Sequence, residues 1–212
     1  MISNHSGKNC KMGLNFSLLW LIIIVLKIVK PSFETNYEYV LEDESVFNDC
    51  VDNPPGYSNI SGLFDLTRVN FEMGPEGINV EGKLICSWDI QPTDLIEGRV
   101  SVFHLDRGTW KPTILNLMVK DFCKIHLDPK QYWYNVYPKY IINREEAKEK
   151  CFNYIGTEYF FEPFILKMYF GAGLKIPPGR NRMVFILAAI DVNNVRRPNG
   201  ICFEIKGEFF KI

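Results

Sequence analysis

Between Ile78 and Ile90 the chain alternates with a period of two. The even positions read Ile78, Val80, Gly82, Leu84, Cys86, Trp88 and Ile90, and the odd ones Asn79, Glu81, Lys83, Ile85, Ser87 and Asp89. Side chains on a strand point alternately to opposite faces, so this pattern predicts one face in a core and one in water. Cys86 falls on the apolar face between Leu84 and Trp88, which makes it the candidate for a buried, unpaired, inert thiol. Further strands are predicted at Tyr37–Glu42, Leu66–Met73, Arg99–Leu105, Phe160–Phe170, Met183–Val192 and Ile201–Phe209. The break GAGLKIPPGRN, 171–181, has the turn chemistry of a long hairpin, and VNNVRRPNG, 192–200, reads the same way. The stretch GTWKPTILNLMVKDFC, 108–123, fits a strand through Leu115, Leu117 and Val119. It fits a helix through Ile114, Leu117, Met118 and Phe122 equally well.

One helix is predicted, Ile142–Lys150, with Asn143 as its cap and Glu145 and Glu146 in its first turn. Many strands separated by turns, with little helix and no internal repeat, predict an all-β antiparallel sandwich. Two of the strands, MVFILAAIDV and FFEPFILKMYF, are apolar on nearly both faces. That surplus has two readings: a thick core, or the lining of an apolar cavity.

Composition agrees with a globular chain. Of 212 residues, 47% are apolar and 23% charged, and the 16 Phe, 10 Tyr and 4 Trp favour strands over a helical bundle. The N-terminus departs from this picture. Lys8 and Lys11 precede the apolar run Phe16–Leu26, and Lys27 and Lys30 follow it. The run is too short to span a bilayer but suits a signal-peptide core, so 1–32 is expected to be a signal peptide and 33–212 a single secreted domain. No Ala-x-Ala cleavage site stands near Pro31, which keeps an uncleaved signal anchor as the alternative. Without 1–32, four lysines and no acids are lost, leaving 20 basic against 25 acidic residues, net −5. A basic nucleic-acid footprint is therefore absent.

Cysteines of a secreted chain are candidates for disulfides. Outside the signal segment stand Cys50, Cys86, Cys123, Cys151 and Cys202, an odd number, so two bridges and one free thiol are expected. No CxxC or His-rich spacing suggests a metal, and none is expected. Asn59-Ile60-Ser61 follows a turn-rich stretch and reads as an exposed glycosylation acceptor. His104 and His126 read as structural or exposed. There is no Gly-x-Ser-x-Gly elbow and no phosphate-binding glycine loop. No catalytic set or cofactor is expected, and the chain is read as a non-enzyme. The segment 128–140, DPKQYWYNVYPKY, packs Tyr132, Trp133, Tyr134, Tyr137 and Tyr140 between Cys123 and Cys151. Aromatics with polar tips suit a boundary between apolar and wet surroundings, or half-buried packing of a tied loop.

Four strings occur in order: YEYVLEDESVFNDC, GTWKPTILNLMVKDFC, YWYNVYPKYIINREEAKEKC and ICFEIKGEFF. Together they resemble the insect chemosensory protein B family, which is similar to the ganglioside-activator protein and the wider ML lipid-recognition group. The resemblance covers nearly all of the chain after the signal segment. It implies a secreted, disulfide-stapled β-cup with an apolar cavity. It also implies a non-enzymatic role in taste hairs: binding or presenting an apolar lipid or cuticular hydrocarbon in contact-pheromone sensing, beside a sensory-neuron ion channel or receptor. Transient contact with a membrane surface goes with that role. Cysteine order in the family implies Cys50 with Cys202 and Cys123 with Cys151, leaving Cys86 free. On this reading Trp133, Tyr134 and Tyr137 are assigned to the rim of the cup, and Trp88, Trp110, Phe161 and Phe164 to its wall. The alternative is an extracellular accessory subunit of a receptor or channel, with the cup filled by its own side chains.

Overall fold

A computed structural model describes residues 35–173 and 175–212. The expected signal segment 1–32, with Cys10, lies outside the described residues. The described chain is mostly antiparallel strand. It runs β1 (Thr35–Leu41), β2 (Asn48–Asp49), β3 (Phe64–Asp65), β4 (Val69–Gly74), β5 (Gly77–Cys86), β6 (Leu95–Asp106) and β7 (Thr109–Val119). Two short helices follow, α1 (Phe122–Ile125) and α2 (Arg144–Lys150), and then β8 (Glu158–Leu166), β9 (Met168–Ala172), β10 (Arg180–Ile190) and β11 (Ile201–Lys211). The ambiguous stretch before Cys123 is a strand, β7, that ends in α1.

The large sheet has the order β7-β6-β10-β11-β1-β9, with β2 added beside β11. In the small sheet β5 lies between β8 on one side and β3 and β4 on the other. The inner faces share one core that includes Ile78, Val80, Leu84, Phe161 and Phe164 of the small sheet and Tyr39, Met183, Leu187, Ile205 and Phe209 of the large one. Phe47 bridges the layers, edge-on to Phe71 at 5.8 Å and to Phe203 at 5.4 Å. The Tyr39 hydroxyl lies 3.0 Å from the carbonyls of both Asn181 and Ile205, tying β1 to β10 and β11 from within.

On β5 the period-two reading holds: Ile78, Val80, Leu84 and Cys86 are buried, and the face continues through Trp88 and Ile90 beyond the strand. Gly82 is the exception. A bulge lies between Val80 and Gly82 in the pairing with β8, and Gly82 has φ +104°. A Cβ there would stand 2.3 Å from the Arg68 carbonyl oxygen, so a glycine is required.

Three expectations are corrected. Phe160–Phe170 is not one strand: the ladder breaks at Lys167, and β8 joins the small sheet while β9 joins the large. The segment 171–181 is not a hairpin. β9 pairs with β1, and β10 pairs with β6 and β11, so the chain crosses two strands of the sheet between them. By contrast, 192–200 does join two paired strands, β10 and β11. The expected helix begins at Arg144, and Asn143 makes no side-chain cap. Its amide instead donates to the Glu158 carbonyl at 2.7 Å and accepts from the Phe160 N–H at 3.1 Å, fixing α2 to β8. The second helix, α1, was not anticipated.

Both disulfides implied by the family resemblance form, Cys50–Cys202 and Cys123–Cys151, and Cys86 is a buried free thiol. They close loops of 152 and 28 residues, which chain entropy values at about 5 and about 3.6 kcal/mol.

Candidate functional site

The ladder of the large sheet puts Phe203, Phe185, Val100 and Leu117 side by side on one face. A second row on that face is Ile205, Met183 and Val102, and a third is Ile201, Leu187, Gly98 and Val119. This is the inner face, since Ile201, Phe203, Ile205, Met183 and Leu187 all belong to the shared core. Burial falls off along the rows toward the β7 edge. Phe203 is buried, Phe185 and Val100 are half-buried, and Leu117 is 36% exposed. Leu115, two residues before Leu117, is also half-buried against the core. On the small sheet Phe71 and Phe164 flank Val80 in register, and Phe71 is half-buried too. These side chains point inward yet keep contact with solvent, so the inner face is incompletely covered toward the β7 edge. These rows hold no charged residue.

The segment from Phe122 to Cys151 packs across one end of these rows. Phe122 lies over the third row: a Cβ added at Gly98 would meet its ring at 4.0 Å. At the far end of the segment Tyr140 stacks flat on Phe164, with centroids 4.0 Å apart and planes at 9°. The segment therefore reaches from the large sheet to the small one. Between these contacts His126 is buried among Phe122, Tyr137, Phe152 and Tyr159.

The residues assigned to the rim sit on this segment. Trp133 is half-buried, its indole N–H donating to the His126 carbonyl at 3.0 Å and its ring 5.8 Å from Phe122. Tyr134 accepts from Arg144 Nη1 at 3.0 Å, with that guanidinium over its ring. Tyr137 packs beside His126 at 5.8 Å, and burial pushes its phenol pKa up. The residues assigned to the wall separate. Phe161 and Phe164 lie together on the inner face of the small sheet, 5.9 Å apart. Trp88 is 2% exposed and donates to the Asn199 carbonyl at 2.7 Å, holding the chain after β5 against the β10–β11 turn. Trp110 does not share the inner face. It is opposite Leu105 on the outer side of the large sheet, beneath Arg180 and Arg182. Phe185, Val100 and Leu115 of the large sheet, with Phe71 and Tyr140 across from them, face the apolar rows without having been assigned to them. The shared face of the first three follows from which strands pair, which no local sequence signal reveals.

Elsewhere the chemistry is quiet. The Cys86 thiol donates to the Phe152 carbonyl at 3.1 Å, and burial pushes its pKa up to about 11, so it is a poor nucleophile. No cluster of three or more metal-ligating side chains occurs among the described residues. Two grooves of about 360 and 530 Å³ lie on the outer face of the small sheet, lined by Asn70, Glu72, Asn79, Glu81, Arg68 and Pro163. Val80, Phe164 and Ile165 also border the first of them. Asn59 is exposed, its side chain accepting from the Ser61 N–H and donating to Asp49. Among the described residues no helix is long and apolar enough to cross a membrane. The chain matches no protein-family model, and no curated protein matches it.

Proposed function

We propose that this chain is a secreted β-cup that binds an apolar lipid or hydrocarbon and serves contact chemosensing. One observation carries the binding part: three register rows of apolar side chains that face inward while Phe185, Val100 and Leu117 keep solvent contact. Two disulfides agree with an oxidising, extracellular setting. The chemosensory part rests on the resemblance to the chemosensory protein B family.

The driving force is desolvation of the chain bound. Each buried methylene contributes about 0.8 kcal/mol, so ten give roughly 8 kcal/mol before ordering and association costs reduce it. With no charge in the rows, selectivity comes from length and from the segment that closes the end. A second reading, an extracellular accessory subunit, draws on Ile114 and Met118, exposed on the outer side of the edge strand β7.

Displacement of a fluorescent fatty-acid probe by long-chain alkenes tests the choice. Leu117→Asp places a charge on the inner face, and Met118→Asp places one on the outer face of the same strand. The cup predicts at least tenfold weaker probe binding for the first and none for the second. No probe binding by the parent protein, or equal effects of the two changes, rejects the cup. Loss of a partner's binding with Met118→Asp alone supports the accessory-subunit reading.

A further inference from the structure

We propose that His126 is the latch of a proton-gated lid: residues 124–140 stay closed over the apolar rows while the His126 ring is neutral, and uptake of one proton by that ring opens them. The ring is 1% exposed. It is boxed by Phe152 at 4.8 Å, Phe122 at 5.2 Å, Tyr137 at 5.8 Å and Tyr159 at 6.0 Å between centroids. Among the described residues neither ring nitrogen has a hydrogen-bond partner, and neither does the Tyr159 hydroxyl. Orphaned polar atoms at this burial are uncommon in folded proteins, and here three meet in one aromatic box.

The box offers an imidazolium aromatic faces and two phenol oxygens but no anion; Glu146 of α2, which acts on the Tyr159 phenol, is paired with Lys150 at 2.8 Å. From the lid comes the Tyr137 phenol, and from β8 the Tyr159 phenol. From β5 comes Cys86, on the far side of Phe152, its S–H committed to the Phe152 carbonyl. Cys123 and Cys151 are bonded to each other. The carboxylates nearest in sequence face elsewhere: Asp121 accepts from the Lys124 N–H, and Asp128 from the Lys130 N–H and the Gln131 amide. A charge formed here has no counter-ion, and an unpaired buried charge is expelled rather than accommodated. Burial alone lowers the ring's pKa to about 3.

The direction follows from linkage. The closed lid holds His126 neutral down to about pH 3, whereas an opened, hydrated ring takes up a proton near its ordinary pKa of about 6.5. The open form thus binds more protons, and its population rises as pH falls, by up to about tenfold per pH unit. Between pH 7 and pH 5 the gain is roughly 25-fold. The part free to move is 124–140: the Cys123–Cys151 bridge anchors its start, the Ile142 N–H holds its end to the Phe160 carbonyl at 2.8 Å, and within it Trp133 is bonded to the backbone of His126 itself. Release of a bound lipid on opening rests on the cup reading; the opening does not.

Amide hydrogen exchange on the secreted protein, corrected for intrinsic rate, reads the opening directly. Residues 124–140 are expected to lose protection roughly 25-fold from pH 7 to pH 5 while β10 and β11 keep theirs. His126→Phe, and His126→Gln should the first not fold, are expected to flatten that response to under about threefold. A histidine ring spectrum should show His126 neutral at pH 5 in the closed form. Loss of protection in step with β10 and β11, an unchanged response in both variants, or a ring titrating near 6.5 in the closed form each overturns the latch. Opening at pH 5 with a lipid still fully bound leaves the latch standing and rejects its role in release.

Discussion

Glu204→Gln isolates one buried charge with almost no change of shape. Arg182 and Glu204 project from neighbouring strands on the outer face of the large sheet, Nη1 to Oε1 at 2.8 Å, with side chains only 4% and 1% exposed. Glu204 Oε1 also accepts from the Val51 N–H at 3.0 Å, next to the Cys50–Cys202 bridge. The guanidinium lies between Phe103 at 4.9 Å and Trp110 at 5.0 Å. A second anion, Asp52, is 3.4 Å away and 88% exposed, so it is well screened. Removing one partner of a buried pair costs about 3–5 kcal/mol. A glutamine oxygen can keep the Val51 bond, which returns about 1 kcal/mol and leaves roughly 2–4. At about 2–4 °C per kcal/mol for a domain of this size, Tm falls by roughly 4–16 °C. Urea unfolding with the disulfides oxidised measures it, as a lower midpoint at unchanged slope. Arg182→Met with Glu204→Leu removes both charges and should lie within about 2 kcal/mol of the parent. A Glu204→Gln protein within about 0.5 kcal/mol of the parent would refute the claim that Arg182 depends on a desolvated partner.

Other outcomes follow from the same geometry. Cys123→Ser with Cys151→Ser should cost up to about 3.6 kcal/mol and raise hydrogen exchange across 122–151 more than in β10 and β11; a uniform rise contradicts the lid as a separate unit. Gly82→Ala should destabilise by more than about 2 kcal/mol, because the backbone has φ +104° and the new methyl meets the Arg68 carbonyl. A urea midpoint equal to the parent's would show that the bulge can relax. Trp133→Ala should weaken lipid transfer more than it lowers stability; equal losses make the indole a packing residue.

Much of the fold was legible because it is written in short-range alternation. The buried face of β5 is the run of even positions from Ile78 to Ile90, interrupted where a bulge needs Gly82. What alternation does not encode is which strand pairs with which. Gly and Pro in 171–181 announce a turn, but they do not say that β10 will pair beyond β1 and β11. For the same reason the interior rows were hidden: Phe185, Val100 and Leu117 are far apart in sequence and meet only through the ladder. Trp110 is out of phase with Leu115, Leu117 and Val119 on the same strand, a sequence signal that separates it from the wall. Four-residue α1 is too short for helical periodicity to show. Cysteine count gave two bridges and a spare thiol, while their partners came from the family resemblance.

The most direct test of the cup is the content of the protein as it leaves the cell. The secreted form, expressed in insect cells, is measured intact by native mass spectrometry, and an organic extract of the same sample is analysed beside it. A stoichiometric hydrocarbon or fatty lipid, bound by the parent and lost from Leu117→Asp, is the predicted result. A clean unliganded mass, with no uptake when candidate lipids are offered, contradicts an apolar cup.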